Sequence, residues 1–407
     1  MTFPTGAGGV SIKVVRAAQG PPAPDRSRDG DGLRDVRIAG VCLGEPRDPH
    51  TGSGVPLHLL NALARRADLV ARIDARPHGI QRAGLAAWTF RPDHRIWRER
   101  FGKHPWAHAL QSRNAARAIA RIEGGVDCIV QISGLFEARG APRLVYADWT
   151  HALSRRHWPD WSPLTDRMAR RRLELERGIY ARSAHVFCMS RVAADSLVED
   201  YGVAPSRVSV VGGGVNFAAL PPAHEHRREP VVLFVGRDWK RKGGPVLREA
   251  FARVRAALPG ARLVVIGTAA CAPGPGIEVL GKLNDRRRLA AVYHRAAVFC
   301  LPSVAEPYGL AAAEAMAYGL PCIVARCGGL PEVVGTAGVV VEPGDPAALA
   351  AALLGLLRDP ARARRIGAAG RARVEHELTW DRVVDRMLPV LERFGPARSR
   401  WRSLARA

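Results

Sequence analysis

Residues 297–334 read AVFCLPSVAEPYGLAAAEAMAYGLPCIVARCGGLPEVV. The opening run AVFCL has the continuous apolar character of a strand buried on both faces. Pro302 and Ser303 end it. Gly309 then opens GLAAAEAMAYG, where Leu310 and the alanines favour a helix and Gly319 closes it. A second apolar run, PCIVAR at 321–326, follows at once. Strand, turn, helix and strand in about 30 residues make a parallel crossover unit. The same rhythm continues upstream. It runs through VVLFVG (231–236), the helix GPVLREAFARVRAAL (244–258), ARLVVIG (261–267), IEVLG (277–281) and the helix DRRRLAAVYHRA (285–296).

A separate series fills the first half. The run VRIAGVCLG (36–44) passes through the turn-rich EPRDPHTGSG into the helix VPLHLLNALARRA (55–67). Strands are expected at DCIVQIS (127–133), PRLVYAD (142–148) and AHVFCMS (184–190), with a helix over 163–182. RVSVVGGGV (207–215) closes the half, and the Pro-rich, polar FAALPPAHEHRREP (217–230) reads as a linker. The expected fold class is α/β, two Rossmann-like doubly wound domains facing across a cleft. Expected boundaries are a disordered leader at 1–34, rich in Gly, Pro, Asp and Arg, a first domain at 35–220 and a second at 221–375. Residues 376–407 form a last helix and a basic tail. In such sheets ligands bind beyond the carboxyl ends of the strands, so the cleft is the expected site.

Composition narrows the function classes. The chain has 407 residues, 47% hydrophobic and 24% charged, ordinary values that exclude wholesale disorder and a membrane-embedded class. Net charge is +23, with 56 of 61 bases being Arg. The excess divides evenly, +11 over residues 1–220 and +12 over 221–407. A nucleic-acid binder gathers its charge on one module, so no nucleic-acid partner is expected. A solvated basic surface, an anionic substrate or an anionic membrane surface accounts for it. Seven scattered cysteines form no Cys-x-x-Cys pair, which fits a reducing cytoplasm and speaks against disulfides or zinc. No signal peptide is expected, because the opening residues lack an apolar core after a basic start, and no stretch of about 18 uncharged apolar residues suggests a membrane span.

Two stretches carry chemistry. In the quoted run, Glu306 lies in the loop after a strand and Glu314 about one and a half turns into the next helix. The free amides near Gly309 and Leu310 make an anion site, so carboxylates there can hold sugar hydroxyls while the helix end holds phosphate. The bland alternative is a surface acid and a helix-dipole acid. The second stretch, LFVGRDWKRKGG (233–244), sends a buried strand into a loop bearing Arg237, Lys240, Arg241 and Lys242. Those cations face the expected cleft and suit a diphosphate.

Together with LVVIG, AVFCLPS and the closing RARVEHELTWDRVVDRMLPVL, these runs resemble glycosyltransferase family 4, retaining enzymes of the GT-B fold that use nucleotide-sugar donors. The resemblance covers most of residues 225–394, and more loosely TGSGVPLHLLNAL, QISGLF, YADWTHA and HVFCMSRVAADSLVEDYGV in the first half. It implies that Glu306 contacts the transferred sugar and Glu314 the nucleotide ribose. Arg237 and Lys242 would hold the diphosphate, with Arg241 among the donor-binding cations, and which base takes which phosphate stays open. Thr51, Gly52, Ser53 and Gly54 would approach the donor phosphates from the other domain, and Lys282, Leu283 and Asn284 would lie near the base. Asp148 and His151 of YADWTH are the candidates for a group near the reacting sugar, and the last helix would cross back to the first domain.

With no recognisable Ser-His-Asp or Cys-His set, the cations and the helix end would stabilise the leaving group. The expected reaction is transfer with retention, needing neither cofactor nor metal. The expected partners are a nucleotide-diphosphate sugar, a glycan or lipid-linked acceptor, and an anionic membrane touched peripherally from the cytoplasm. A second reading is a non-catalytic scaffold of the same fold that docks on membrane or polysaccharide through its charge and the tail RFGPARSRWRSLARA. A third is a GT-B enzyme of another reaction, such as an epimerase.

Overall fold

The computed structural model describes residue 33 and residues 35–222 and 229–395. The basic tail at 396–407, with Trp401, and the centre of the linker lie outside the described residues, as does the expected leader except for Leu33. Leu33 is buried in the first core, so the folded part starts slightly before position 35.

Twelve strands form two six-stranded parallel sheets. The first holds β1 (Arg37–Cys42), β2 (Asp68–Asp74), β3 (Cys128–Ile132), β4 (Arg143–Ala147), β5 (His185–Cys188) and β6 (Val208–Val210), in the order β2-β1-β3-β4-β5-β6. The second holds β7 (Val231–Val235), β8 (Arg262–Ile266), β9 (Ile277–Gly281), β10 (Val298–Leu301), β11 (Cys322–Ala325) and β12 (Val339–Val341), in the order β12-β11-β10-β7-β8-β9. Central strands such as β4, β5, β10 and β11 are buried throughout, because helices cover both faces of a parallel sheet. In the second sheet the chain builds outward from β7 through β8 to β9, then returns to place β10 on the other side of β7. The loops after β7 and β10 therefore leave the sheet side by side at its switch point, where a crevice forms. Those loops are 236–243 and 302–309, the two stretches singled out for chemistry.

The helix Trp380–Leu391 buries Trp380, Val383, Val384, Met387, Val390 and Leu391 on one stripe. It lies against the helix Val55–Ala64 of the first half, flanked by Arg65–Asp381 and Arg66–Asp385 pairs at 2.8 Å. Such exposed pairs contribute at most about 1 kcal/mol, so the apolar stripe supplies most of the attachment. Six of the seven cysteines are buried, and all seven are free thiols.

Candidate active site

The loop after β7 is turned inward by its glycines. Gly243 has φ +74, and a Cβ there would stand 1.8 Å from the Pro302 carbonyl oxygen. The backbone thus lies directly on the end of β10, and Val304 N–H donates to the Arg241 carbonyl at 2.9 Å. This close approach delivers two of the four cations to Glu306. Its Oε2 accepts from Lys242 Nζ at 3.0 Å, from Arg241 Nη1 at 3.2 Å and from Ser303 Oγ at 3.2 Å. Arg241 also donates to the Ala305 carbonyl and stacks 4.6 Å over the Trp161 ring of the first half. Burial pushes the Glu306 carboxyl up, but Lys242 and Arg241 outweigh it and hold it below its ordinary value. Arg237 and Lys240, by contrast, stand exposed on the loop. The structure brings together Lys242 and Arg241 where the resemblance pointed to Lys242 and Arg237.

Gly309, at φ +111, starts the helix Leu310–Ala317, and no side chain caps that start. The amides of Leu310 and Ala311 are left for an anion or water. Glu314, one turn further in, has no hydrogen-bond or ion-pair partner among the described residues. Burial raises its pKa to about 7, against the pull of Lys242 and Arg286. An unpartnered carboxyl beside an uncapped helix start, with two cations next to it, can take hydroxyls at one end and a diphosphate at the other. The segment GGLPE closes the back of this site. A Cβ on Gly328, at φ +52, would meet the Glu306 carbonyl oxygen at 1.7 Å and Trp149 of the first half at 3.5 Å. Glu332 accepts the Arg191 amide with both oxygens, at 2.8 and 2.9 Å, and so bridges the halves.

Across the cleft, Thr51–Gly54 forms a tight turn with Gly52, Ser53 and Gly54 all at positive φ. Asn216 fixes it, donating to the Ser53 carbonyl at 2.6 Å while accepting from Trp380 Nε1 at 3.0 Å. The last helix thereby braces this turn. The pKa of His58, in the helix that follows, is shifted down by burial and by the cations Arg286 and Arg65. Lys282 and Asn284 are exposed after β9, while Leu283 packs partly on the core.

A cavity of about 300 Å³ opens in the first half and reaches Pro307 of the second, walled by Asp148, Trp149, His151, Trp161 and Glu176 among others. Asp148 faces it from the end of β4. Its side chain is open to solvent in the cleft, yet the protein packed around it raises its pKa against the pull of its own and the Trp149 amide, and Glu176 and Glu306 add to the rise. His151 begins the helix His151–His157, and its ring lies 3.3–3.4 Å from Ser162 Oγ. Burial, with Arg172, Lys103 and Arg155, pushes its pKa down to about 3, so it is neutral at physiological pH. Three wall atoms, Ser133 Oγ, Trp149 Nε1 and Arg172 Nε, are buried with no partner. Such orphans suit a polar ligand. Ser133 also holds φ +87, a strained value for serine. Sequence reading did not find Lys103, Trp161, Arg172, Glu176 or Arg286. The one available signal was Arg172 and Glu176 four apart on the helix Asp166–Ala181, which puts both on one face.

Comparison with known proteins speaks to the family and the fold. Residues 55–219 match the family model described as Glycosyltransferase Family 4, and residues 229–359 match Glycosyl transferases group 1. A D-inositol 3-phosphate glycosyltransferase of Segniliparus rotundus is 32% identical over 53% of this chain and 54% of its own. The chain thus spans about half the length of the curated relatives it matches. Among solved structures, sucrose-phosphate synthase from Thermosynechococcus elongatus superposes with a TM-score of 0.65, at 21% identity, over 89% of this chain and all of its own. Anabaena Alr3699/HepE, solved with UDP and glucose, gives 0.60 at 15% identity over 88% and 99%. With two family models spanning both halves and a two-domain Rossmann-like architecture beneath them, the chain belongs to the family 4-type glycosyltransferases of GT-B fold.

Proposed function

We propose that the chain transfers a sugar from a nucleotide-diphosphate sugar, with retention, to a hydroxyl of a glycan or lipid-linked acceptor held in the first half's cavity, where it reaches Pro307. One observation carries the reading: Glu306, gripped by Lys242 and Arg241, stands beside the uncapped start of Leu310–Ala317. Lys242 and Arg241 neutralise Glu306. When a donor arrives, its diphosphate competes for them, and the Leu310 and Ala311 amides add donors that need no reorganisation. Glu306, released in part, faces the sugar as positive charge develops on it. Glu314 accepts from ribose hydroxyls.

The acceptor hydroxyl would approach from the side of Asp148 and Trp149, on the face the diphosphate leaves. The departing phosphate would take its proton. Leaving-group stabilisation falls to this chain's own cations, and the reading calls for no cofactor or metal. The D-inositol 3-phosphate glycosyltransferase and the UDP–glucose complex among its relatives fit a polyol acceptor and a nucleoside diphosphate. The test is a thermal-shift and hydrolysis screen against UDP-, GDP-, ADP- and TDP-sugars. A ligand bound only to the native state raises Tm, and one nucleotide should stand out. No shift and no hydrolysis with any of them would end the reading. Proton NMR of the glycosylated product then shows whether the anomeric configuration is kept.

A further inference from the structure

On the helix Gly79–Thr89 the buried positions are Leu85 and Thr89. Ile80, Ala83, Gly84, Ala87 and Trp88 form a second stripe at helical spacing, and all five are exposed, Ile80 at 92% and Trp88 at 71%. Phe90 extends the stripe, and Ile96 and Trp106 stand exposed on the two helices that follow, His94–Lys103 and Pro105–Ile119. Every large hydrophobic side chain standing exposed among the described residues falls within positions 80–106. The surface is tied together: Trp97 Nε1 donates to the Ala86 carbonyl at 3.2 Å, and its ring meets Phe90 edge-on at 5.5 Å. On the helix Pro105–Ile119 the exposed stripe that begins with Trp106 continues through Arg113 and Arg117.

Charge identifies what covers this face. Residues 79–122 hold nine Arg and Lys against two acids, +7 of the net +23 in 44 of 407 residues. The excess is even between the halves but concentrated here, on the segment that exposes its aromatics. A second copy of the chain would bring two cationic faces together, which is unfavourable. Tryptophan and phenylalanine flanked by arginine suit a lipid headgroup boundary, where the rings enter and the guanidinium groups stay with the phosphates. We propose that this face docks on the surface of an anionic lipid bilayer. The helix His94–Lys103 also supplies Glu99 and Lys103 to the cavity wall, so docking would set the cavity beside the headgroups. That placement suits a lipid-linked acceptor and rests on the transferase reading; the docking itself does not.

The experiment is co-sedimentation of the full chain, without donor, with phosphatidylcholine vesicles and with vesicles containing phosphatidylglycerol. The wild type should pellet with the anionic vesicles alone, and less at high salt. Ile80→Ser/Trp88→Ser/Trp106→Ser should weaken partitioning by about tenfold or more, and Arg113→Glu/Arg117→Glu should do the same on anionic vesicles, with nucleotide binding unchanged in both. Three results would overturn the proposal. One is wild-type protein that stays in the supernatant. Another is variants that bind as the wild type does, which would move the contact elsewhere, including to residues 396–407. The third is a dimer in sedimentation velocity that the serine variant abolishes, which would make the face a protein interface.

Discussion

Replacing each of the two glutamates by glutamine separates their roles. Glu306 makes contacts of 3.0, 3.2 and 3.2 Å to two cations and a hydroxyl. Glutamine keeps the shape and one acceptor oxygen but removes the charge. The donor diphosphate then meets Lys242 and Arg241 with no carboxylate competing for them, so donor KM should hold or fall. What is lost is the contact that strengthens as the sugar becomes positive. A hydrogen bond to a charged group is worth about 1.5–3 kcal/mol, so kcat should fall roughly ten- to hundred-fold. Glu314 has no partner before the donor binds, and its interaction with ribose is the same in ground and transition states. Glu314→Gln should therefore raise donor KM by about tenfold and change kcat little. Steady-state kinetics on both variants, with folding checked by circular dichroism, decide it. The reverse pattern would exchange the roles, and two silent variants would refute the placement of the donor.

Other consequences follow from the same geometry. Arg241→Ala and Lys242→Ala should each cost roughly 10²–10³ in kcat/KM, while Arg237→Ala, at an exposed position, should cost less than about tenfold; kinetics on the three variants would show an equal loss if the inward turn of the loop were wrong. Glu314, with its carboxyl raised to about 7, holds its proton in the free protein at mildly acidic pH and must lose it to accept ribose hydroxyls. Nucleotide affinity should accordingly fall as pH drops through about 7, with proton release on binding near neutrality, both absent in Glu314→Gln; calorimetry in buffers of different ionisation enthalpy measures this. Gly328→Ala puts a methyl against the Glu306 carbonyl in a left-handed backbone, so Tm should fall and activity with it, at a cost of about 1–3 kcal/mol or more; an unchanged melting curve would contradict the packing.

Most of the architecture was legible because parallel strands buried on both faces read as apolar runs. VVLFVG, ARLVVIG and AVFCL are of that kind. The strand β2 was missed because DLVARID alternates, with Asp68 and Arg72 on the open face of a sheet edge. The strand β12 has only three residues. The helices between 79 and 119 were missed for a different reason: on the first the exposed stripe of Ile80, Ala83, Ala87 and Trp88 is as apolar as the buried one, and on the third the buried face includes the polar Gln111 and Asn114. Glu306 and Glu314 were legible through the Pro and Gly around them. Four cations in six residues could not say which turn inward; that depends on how Gly243 lies on Pro302, a contact between strands remote in sequence. The cavity draws Lys103, Asp148, Trp161 and Arg172 from separate segments, and no spacing joins them.

The central claim is that the loops after β7 and β10 hold a nucleoside diphosphate. The most direct measurement is a crystal structure of the chain with the nucleoside diphosphate that the thermal-shift screen selects. The account predicts the diphosphate on Lys242, Arg241 and the Leu310 and Ala311 amides, with the ribose hydroxyls on Glu314. Nucleotide bound elsewhere, or Lys242 and Arg241 still locked on Glu306 with the diphosphate out of their reach, would contradict it.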